Sequence, residues 1–330
     1  MACAHGRSRE DGRGAQATAW GRMTPIPGVS DPFCPLRGGA TLCAGTEKAA
    51  TMSYTAEISR DNPTCILFVI DQSGSMSDKM ATGRSKSDFV ADALNKTLYT
   101  LITNCTKAEG VRDYFEVGVI AYGHDGALPG LGGRLSGGLI HPISALEQAP
   151  LRVEDRTKIE DDGAGGVLER KVKFPVWFEP TADGATPMCA ALTKAAEAVA
   201  DWCDRHPNSY PPTVLHVTDG ESTDGDPEQV ASVLREISTD DGPCLLLNVH
   251  ISTATGQNVQ FPASGSELPD RFAKQLWSMS SPLPGHIAKL AADKGYSVSQ
   301  AARGFIFNAD PRDIVNFFDI GTRPRLASDR

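Results

Sequence analysis

No apolar run in the chain approaches the length of a membrane span, which leaves no candidate transmembrane helix. No C-x-x-C pair occurs among the eight cysteines, Cys3, Cys34, Cys43, Cys65, Cys105, Cys189, Cys203 and Cys244. Cys65 and Cys244 open apolar strands, while Cys105, Cys189 and Cys203 lie in or beside helical patterns. The thiols therefore read as free, mostly buried groups of a cytosolic protein, not as a disulfide framework. A P-loop G-x-x-x-x-G-K-[ST] is missing, which excludes nucleotide hydrolysis by that route. No serine-hydrolase elbow G-x-S-x-G surrounds Ser73 and Ser75. Basic excess is missing as well: the net charge of -9 argues against a nucleic-acid backbone as partner. There is no internal repeat.

The first fifty residues lack the unbroken apolar stretch of a secretory signal and show no helical or strand period. Rich in Gly, Ala, Arg and Pro, residues 1–51 read as a disordered tail, or as a mis-called extension ahead of Met52. The composition of the rest suffices for a core, since the 330 residues are 40% hydrophobic and 22% charged. One domain over about 60–320 accounts for the pattern, with 321–330 as a short tail.

Within that domain strands and helices alternate. "TCILFVI" (64–70) is a continuous apolar run, the mark of a strand buried on both faces. Residues 85–104 place Val90, Leu94, Thr97, Leu98 and Leu101 on one helical stripe. "YFEVGVIAY" (114–122) is a second strand, and "GHDGALPGLGGRLSGG" reads as loop. "LRVEDRTKIE" and "VLERKVKFPVWFE" flank the turn signal "DDGAGG", so a hairpin is expected there, its second arm joining the sheet. A helix follows at 187–203, then the strand "PTVLHVTD" (212–219). Asp226, Pro227 and Gln229 open another helix with a capping box, and Val230, Val233, Leu234 and Ile237 are expected to face the core. "CLLLNVHIS" (244–252), a polar loop at 253–266, two helices carrying Leu268 to Met279 and Ile287 to Ala292, the strand "GFIFNA" (304–309) and a helix capped by Asp310 complete the chain. Such alternation predicts an α/β fold with a doubly wound, mostly parallel sheet and helices on both faces.

The chemistry concentrates at strand ends. In "CILFVIDQSGSM" (65–76) an apolar strand stops at Asp71, and Ser73 and Ser75 follow at alternate positions. Asp219 ends "TVLHVTD", and Thr186 stands just before the helix that starts at Pro187. In open α/β sheets the carboxyl ends of the strands share one crevice, so these five oxygen-bearing side chains can meet. Hydroxyls and carboxylates suit a hard divalent cation, Mg²⁺ above Mn²⁺ or Ca²⁺. Two carboxylates balance one dication, and neutral hydroxyls leave it short of direct negative charge. Such a metal takes an anionic ligand from outside, typically an Asp or Glu carboxylate of a protein partner. Each residue also has a plainer reading: Asp71, Ser73 and Ser75 fit an Asx-type turn, Thr186 an N-cap, and Asp219 a turn cap.

D-x-S-x-S after a buried strand, with a distant Thr and a distant Asp, resembles the von Willebrand factor type A domain and its metal-ion-dependent adhesion site. The resemblance covers about residues 60–320 and implies a Rossmann-like α/β fold, with the hairpin as an insertion. It also implies Mg²⁺ or Mn²⁺ held by Asp71, Ser73, Ser75, Thr186 and Asp219. The chain is similar as well to intracellular bacterial members, including those associated with tellurium resistance, which implies a cytoplasmic location. The expected function is a metal-dependent protein-binding module, regulatory or scaffolding, without a catalytic residue. One alternative is an accessory subunit of an ATPase, kinase or phosphatase system. A second is a metal-dependent phosphate hydrolase, against which Ser73 stands where an aspartyl-nucleophile phosphatase wants its second carboxylate. His124, Asp125, Asp183 and Asp224 are weaker candidates, as partner contacts at the rim. Asp226 reads as a helix cap, and His216 and His250 as satisfied core histidines.

Overall fold

The computed structural model describes residues 54–161, 167–252 and 256–323. Residues 1–51, the alternative start at Met52, most of "DDGAGG", part of the polar loop at 253–266 and the end of the tail lie outside them, as do Cys3, Cys34 and Cys43.

The central strand β1 (Thr64–Asp71) is buried along its whole length, as its unbroken apolar run predicts. Its parallel neighbours are β2 (Phe115–Gly123) and, 147 residues on from the strand's end, the segment that leads to Asp219. Between them come the short strands β3 (Gly126–Pro129) and β4 (Ile140–Pro142), and then a hairpin of β5 (Arg152–Asp161) and β6 (Val167–Val176). After it follow β7 (Thr213–Thr218), β8 (Leu245–Ile251), β9 (Val259–Gln260) and β10 (Phe305–Ala309). The order across the main sheet is β9-β10-β8-β7-β1-β2-β3, with β4 also paired to β2. The five inner strands are parallel, and β3, β4 and β9 join antiparallel at the edges. This is the doubly wound order, and its direction reverses at β1, which places the ligand crevice between β1 and β7.

Side-chain alternation divides the core in two. Ile66, Phe68 and Ile70 of β1 pack toward α1 (Lys86–Cys105), α2 (Ile143–Gln148), α6 (Gly285–Asp293) and α7 (Pro311–Gly321). Cys65, Leu67 and Val69 pack toward α3 (Met188–Arg205), α4 (Pro227–Glu236) and α5 (Arg271–Met279). Helix α1 starts where the Ser85 hydroxyl accepts from the Asp88 amide, and it buries Val90, Leu94, Leu98 and Leu101 at spacings of three and four. Thr97 lies at the margin of that stripe and donates to the carbonyl of Ala93. Each fully buried aliphatic side chain contributes about 1.5–3 kcal/mol, so a charge at Leu94 would undo the helix's docking. Helix α7 has the expected Asp310 cap and Pro311, and a full capping box with Asp313.

Four expectations are corrected. The second arm of the inserted hairpin does not join the main sheet: β5 and β6 pair only with each other among the described strands. With Glu169, Arg170, Lys171 and Lys173 along it, β6 has no apolar face to bury on both sides. Its anchor is a side contact, in which Arg156 binds Asp92 of α1 at 2.6 Å and lies 3.6 Å over the Phe174 ring. The Gly-rich stretch after β2 is not all loop, because β3 doubles back on β2 through His124 and Asp125, with Gly126 at φ 84°. Asp226 does cap α4, but by accepting from the Glu228 amide and without a box through Gln229. Val233 faces solvent, so the buried stripe of α4 is narrower than its apolar sequence.

Candidate metal site

Residues 71–75 leave β1 as a tight turn over the end of the sheet. The Asp71 Oδ1 accepts from the Ser73 amide at 2.8 Å, and its Oδ2 accepts from the Thr218 hydroxyl at 2.8 Å. The Ser73 and Ser75 hydroxyls are 3.2 Å apart, and Ser75 donates to Asp219 Oδ1 at 2.7 Å. A string of side-chain oxygens thus runs from Ser73 through Ser75 to Asp219, just past the end of β7, and is tied to Asp71 at the end of β1 through the Ser73 amide. Asp71, Ser73 and Thr186 are buried, while Ser75 is exposed, so the string opens to solvent at its middle.

Thr186 arrives on a separate loop. The Gly74 amide donates to the carbonyl of Gly184 at 3.0 Å, and Thr223 binds Thr186 through both its amide and its hydroxyl, each at 3.0 Å. The Thr186 hydroxyl does not cap α3, whose N-cap is Pro187 with no side-chain bond. It turns toward Gly220, where an added Cβ would lie 3.7 Å from it and 4.0 Å from the Ser75 hydroxyl. The glycine therefore keeps open a small cradle between those two oxygens. The donor set of two carboxylates and three hydroxyls around such a cradle fits a hard cation such as Mg²⁺. Among the described residues no group of three or more His, Cys, Asp and Glu side chains could hold a metal, so any cation would rely on the hydroxyls.

The two carboxylates differ in their surroundings. Burial pushes the Asp71 carboxyl from 3.8 up to about 6, against the hydrogen bonds from Ser73 and Thr218 and with a further push from Asp219. The Asp219 side chain is fully enclosed but has a cation: the Lys86 ammonium lies 2.8 Å from its Oδ2. Lys86 also reaches Asp78 Oδ2 at 3.1 Å and the carbonyl of Ser75 at 3.4 Å.

Lys86 and Thr218 escape a reading of the sequence. Thr218 has no distinguishing signal, because β-branched residues are ordinary in strands. Lys86 has a faint one: it is the first residue of α1, where the helix dipole disfavours a cation.

The weaker candidates divide. His124 and Asp183 are exposed and approach to 3.7 Å, and with Asp125 and Gln72 they line a cleft of about 370 Å³ beside the turn. Asp224 is committed elsewhere: its carboxylate accepts from the Cys189 and Ala190 amides, each at 2.9 Å, and from the Ser222 hydroxyl. Burial raises its pKa, but these bonds outweigh that and hold the carboxyl below its usual range. It thereby caps α3 from a distance while remaining exposed. On the other side of the site Glu221 and Ser222 open a second cleft, of about 800 Å³, that also includes Asp226, Arg271 and Lys274. His216 and His250 lie in the core, as expected, and burial lowers both to about 4.

No protein-family profile matches the chain, and no curated protein matches it. Solved structures do align with it at low similarity. Proximal thread matrix protein 1 from the mussel byssus has 12% identity over 80% of this chain and 48% of its own, with a TM-score of 0.43. The manganese-loaded TRAP protein of Plasmodium vivax has 12% identity over 78% of this chain and 72% of its own, with a TM-score of 0.36. The vWF domain of the type V pilus tip protein Mfa5 from Porphyromonas gingivalis has 16% identity over 49% of this chain and 39% of its own, with a TM-score of 0.28. The chain thus spans less than half of the mussel protein. TM-scores this low carry no functional argument, and the fold is read from the chain's own strand order.

Proposed function

We propose that the chain is a metal-ion-dependent protein-binding module of the von Willebrand factor A type, which recognises an Asp or Glu of a protein partner. The observation that carries this reading is the hydrogen-bonded string at the point where the strand order reverses, in which Asp71 accepts from the Ser73 amide at 2.8 Å and the Ser73 and Ser75 hydroxyls lead on to Asp219 at 3.2 and 2.7 Å. When bound, Mg²⁺ would supply a positive centre that accepts an outside carboxylate. Asp71 and Asp219 provide the charge that draws the ion, and Ser73, Ser75 and Thr186 provide neutral oxygens. Since hydroxyls bring no negative charge, the anion must come from the partner. The flanking clefts, with His124, Asp125 and Asp183 on one rim, offer the surface that distinguishes one partner from another.

A regulatory or scaffolding role follows better than turnover. Both Asp71 oxygens already accept hydrogen bonds and the side chain is shielded from solvent, a poor disposition for attack on a phosphoryl group. Five free thiols among the described residues accord with a cytoplasmic module of the bacterial type. In calorimetry, Mg²⁺ should bind the full chain and fail to bind Asp71→Ala. Partners captured from the native cell in Mg²⁺ should leave on chelation. A partner that stays bound in chelator, or binds Asp71→Ala unchanged, refutes the reading.

A further inference from the structure

The Lys86 ammonium is enclosed, with only 5% of its side chain exposed, and its interior partner Asp219 is at 0%. Asp78, the other carboxylate it meets, is 57% exposed and therefore screened by water. A cation at the first position of a helix opposes the helix dipole, so this lysine is held by the Asp219 carboxylate and not by local preference. Enclosure also means that its charge acts on the site across little solvent.

We propose that Lys86 is a built-in counter-cation that weakens the site's hold on the metal and strengthens its hold on the partner's carboxylate. This rests on the metal-dependent reading above. Asp71 and Asp219 alone would neutralise a dication. With the enclosed Lys86 ammonium added, the loaded site keeps one net positive charge. The incoming metal meets repulsion from that ammonium, whereas an incoming anion meets attraction. One residue therefore moves two affinities in opposite directions, which makes the site demand an acidic ligand from outside.

The test is Lys86→Gln in the full chain, which keeps a donor for Asp219 and removes the charge. Mg²⁺ titrated by calorimetry should bind this variant roughly tenfold tighter or more. Acetate, titrated into the Mn²⁺-loaded protein and followed by water-proton relaxation, should bind at least about threefold weaker. Lys86→Arg should behave as the parent protein. Damage to the fold would weaken both ligands together, so the opposite signs are the diagnostic. Equal or weaker Mg²⁺ binding by a folded Lys86→Gln, with the parent binding normally, overturns this proposal alone. Absence of metal binding in both proteins overturns the metal reading and this one with it. Should Lys86→Gln not fold, Lys86→Met removes the same enclosed charge while keeping most of the side chain's length, and is expected to tighten Mg²⁺ and weaken acetate. Mg²⁺ binding unchanged or weakened in a folded Lys86→Met overturns the proposal.

Discussion

The two faces of the sheet are built from different materials. Toward α1 and α7 the strands present Ile66, Phe68, Ile70, Leu215, Val217, Leu245, Leu247 and Val249, an unbroken apolar layer on which Phe68 meets Phe318 edge to face at 5.3 Å. Toward α3 and α5, close under the site, a polar row crosses the sheet. Tyr122 and His216 are 2.7 Å apart, His216 and Asn248 2.8 Å, and Asn248 donates to the Ser280 hydroxyl at 2.8 Å. Tyr122 also meets Thr218, whose hydroxyl donates to Asp71. The first face holds the domain together by area, which tolerates exchange of one apolar shape for another. The second fixes directions, since each member of a buried polar row must keep its partners. A site that depends on where Asp71 points sits above the face that specifies direction.

The sharpest break in this comparison is Phe68→Ala. It should cost about 3–5 kcal/mol in urea unfolding while leaving Mg²⁺ affinity of the folded protein unchanged. A change in affinity larger than about twofold would show that the apolar face also shapes the site.

Acid probes the polar face next. His216 is lowered from 6.5 to about 4, so the unfolded chain takes up its proton first as the pH falls. The stability that His216 contributes is complete above pH 6.5 and is lost on going down to pH 4, by on the order of 3 kcal/mol. Nuclear magnetic resonance of the ring checks this directly, because a titration near 6.5 in the folded protein would contradict it. Asp71 works in the opposite sense: raised from 3.8 to about 6, its ionised form opposes folding above pH 6, and that penalty is relieved as the pH falls. Asp71→Asn should therefore stabilise the protein in chelator at pH 7 by about 1–2 kcal/mol while abolishing Mg²⁺ binding. A lower urea midpoint for the variant would mean that the charge is compensated by something other than a metal.

Much of this was legible from side chains whose local surroundings decide their fate. β1, β7 and β8 are buried on both faces and so read as apolar runs, and the oxygens at their ends mark the crevice. Asp310 and Asp226 announce their helices because capping is a short-range effect. What was hidden depends on distant partners. Lys86 finds Asp219 133 positions away, and Asp224 caps a helix 35 positions before it. The arms of the β5–β6 hairpin alternate like sheet strands, yet nothing local says that they pair with each other and not with the main sheet. β3 and β4 hide among glycines because they borrow their order from β2.

The place of β1 between β2 and β7 has a consequence in time. A ribosome delivers β1 and β2 early, but the central strand lacks one neighbour until Thr213–Thr218 has emerged. Such a long loop must close before its contacts reward it, which slows the search for the native pairing. Ser75 and Asp219, 144 residues apart, come within 2.7 Å only once that closure is made. Metal uptake during refolding would then keep time with that long-range step, and a bound ion would record that β1 and β7 had found their register.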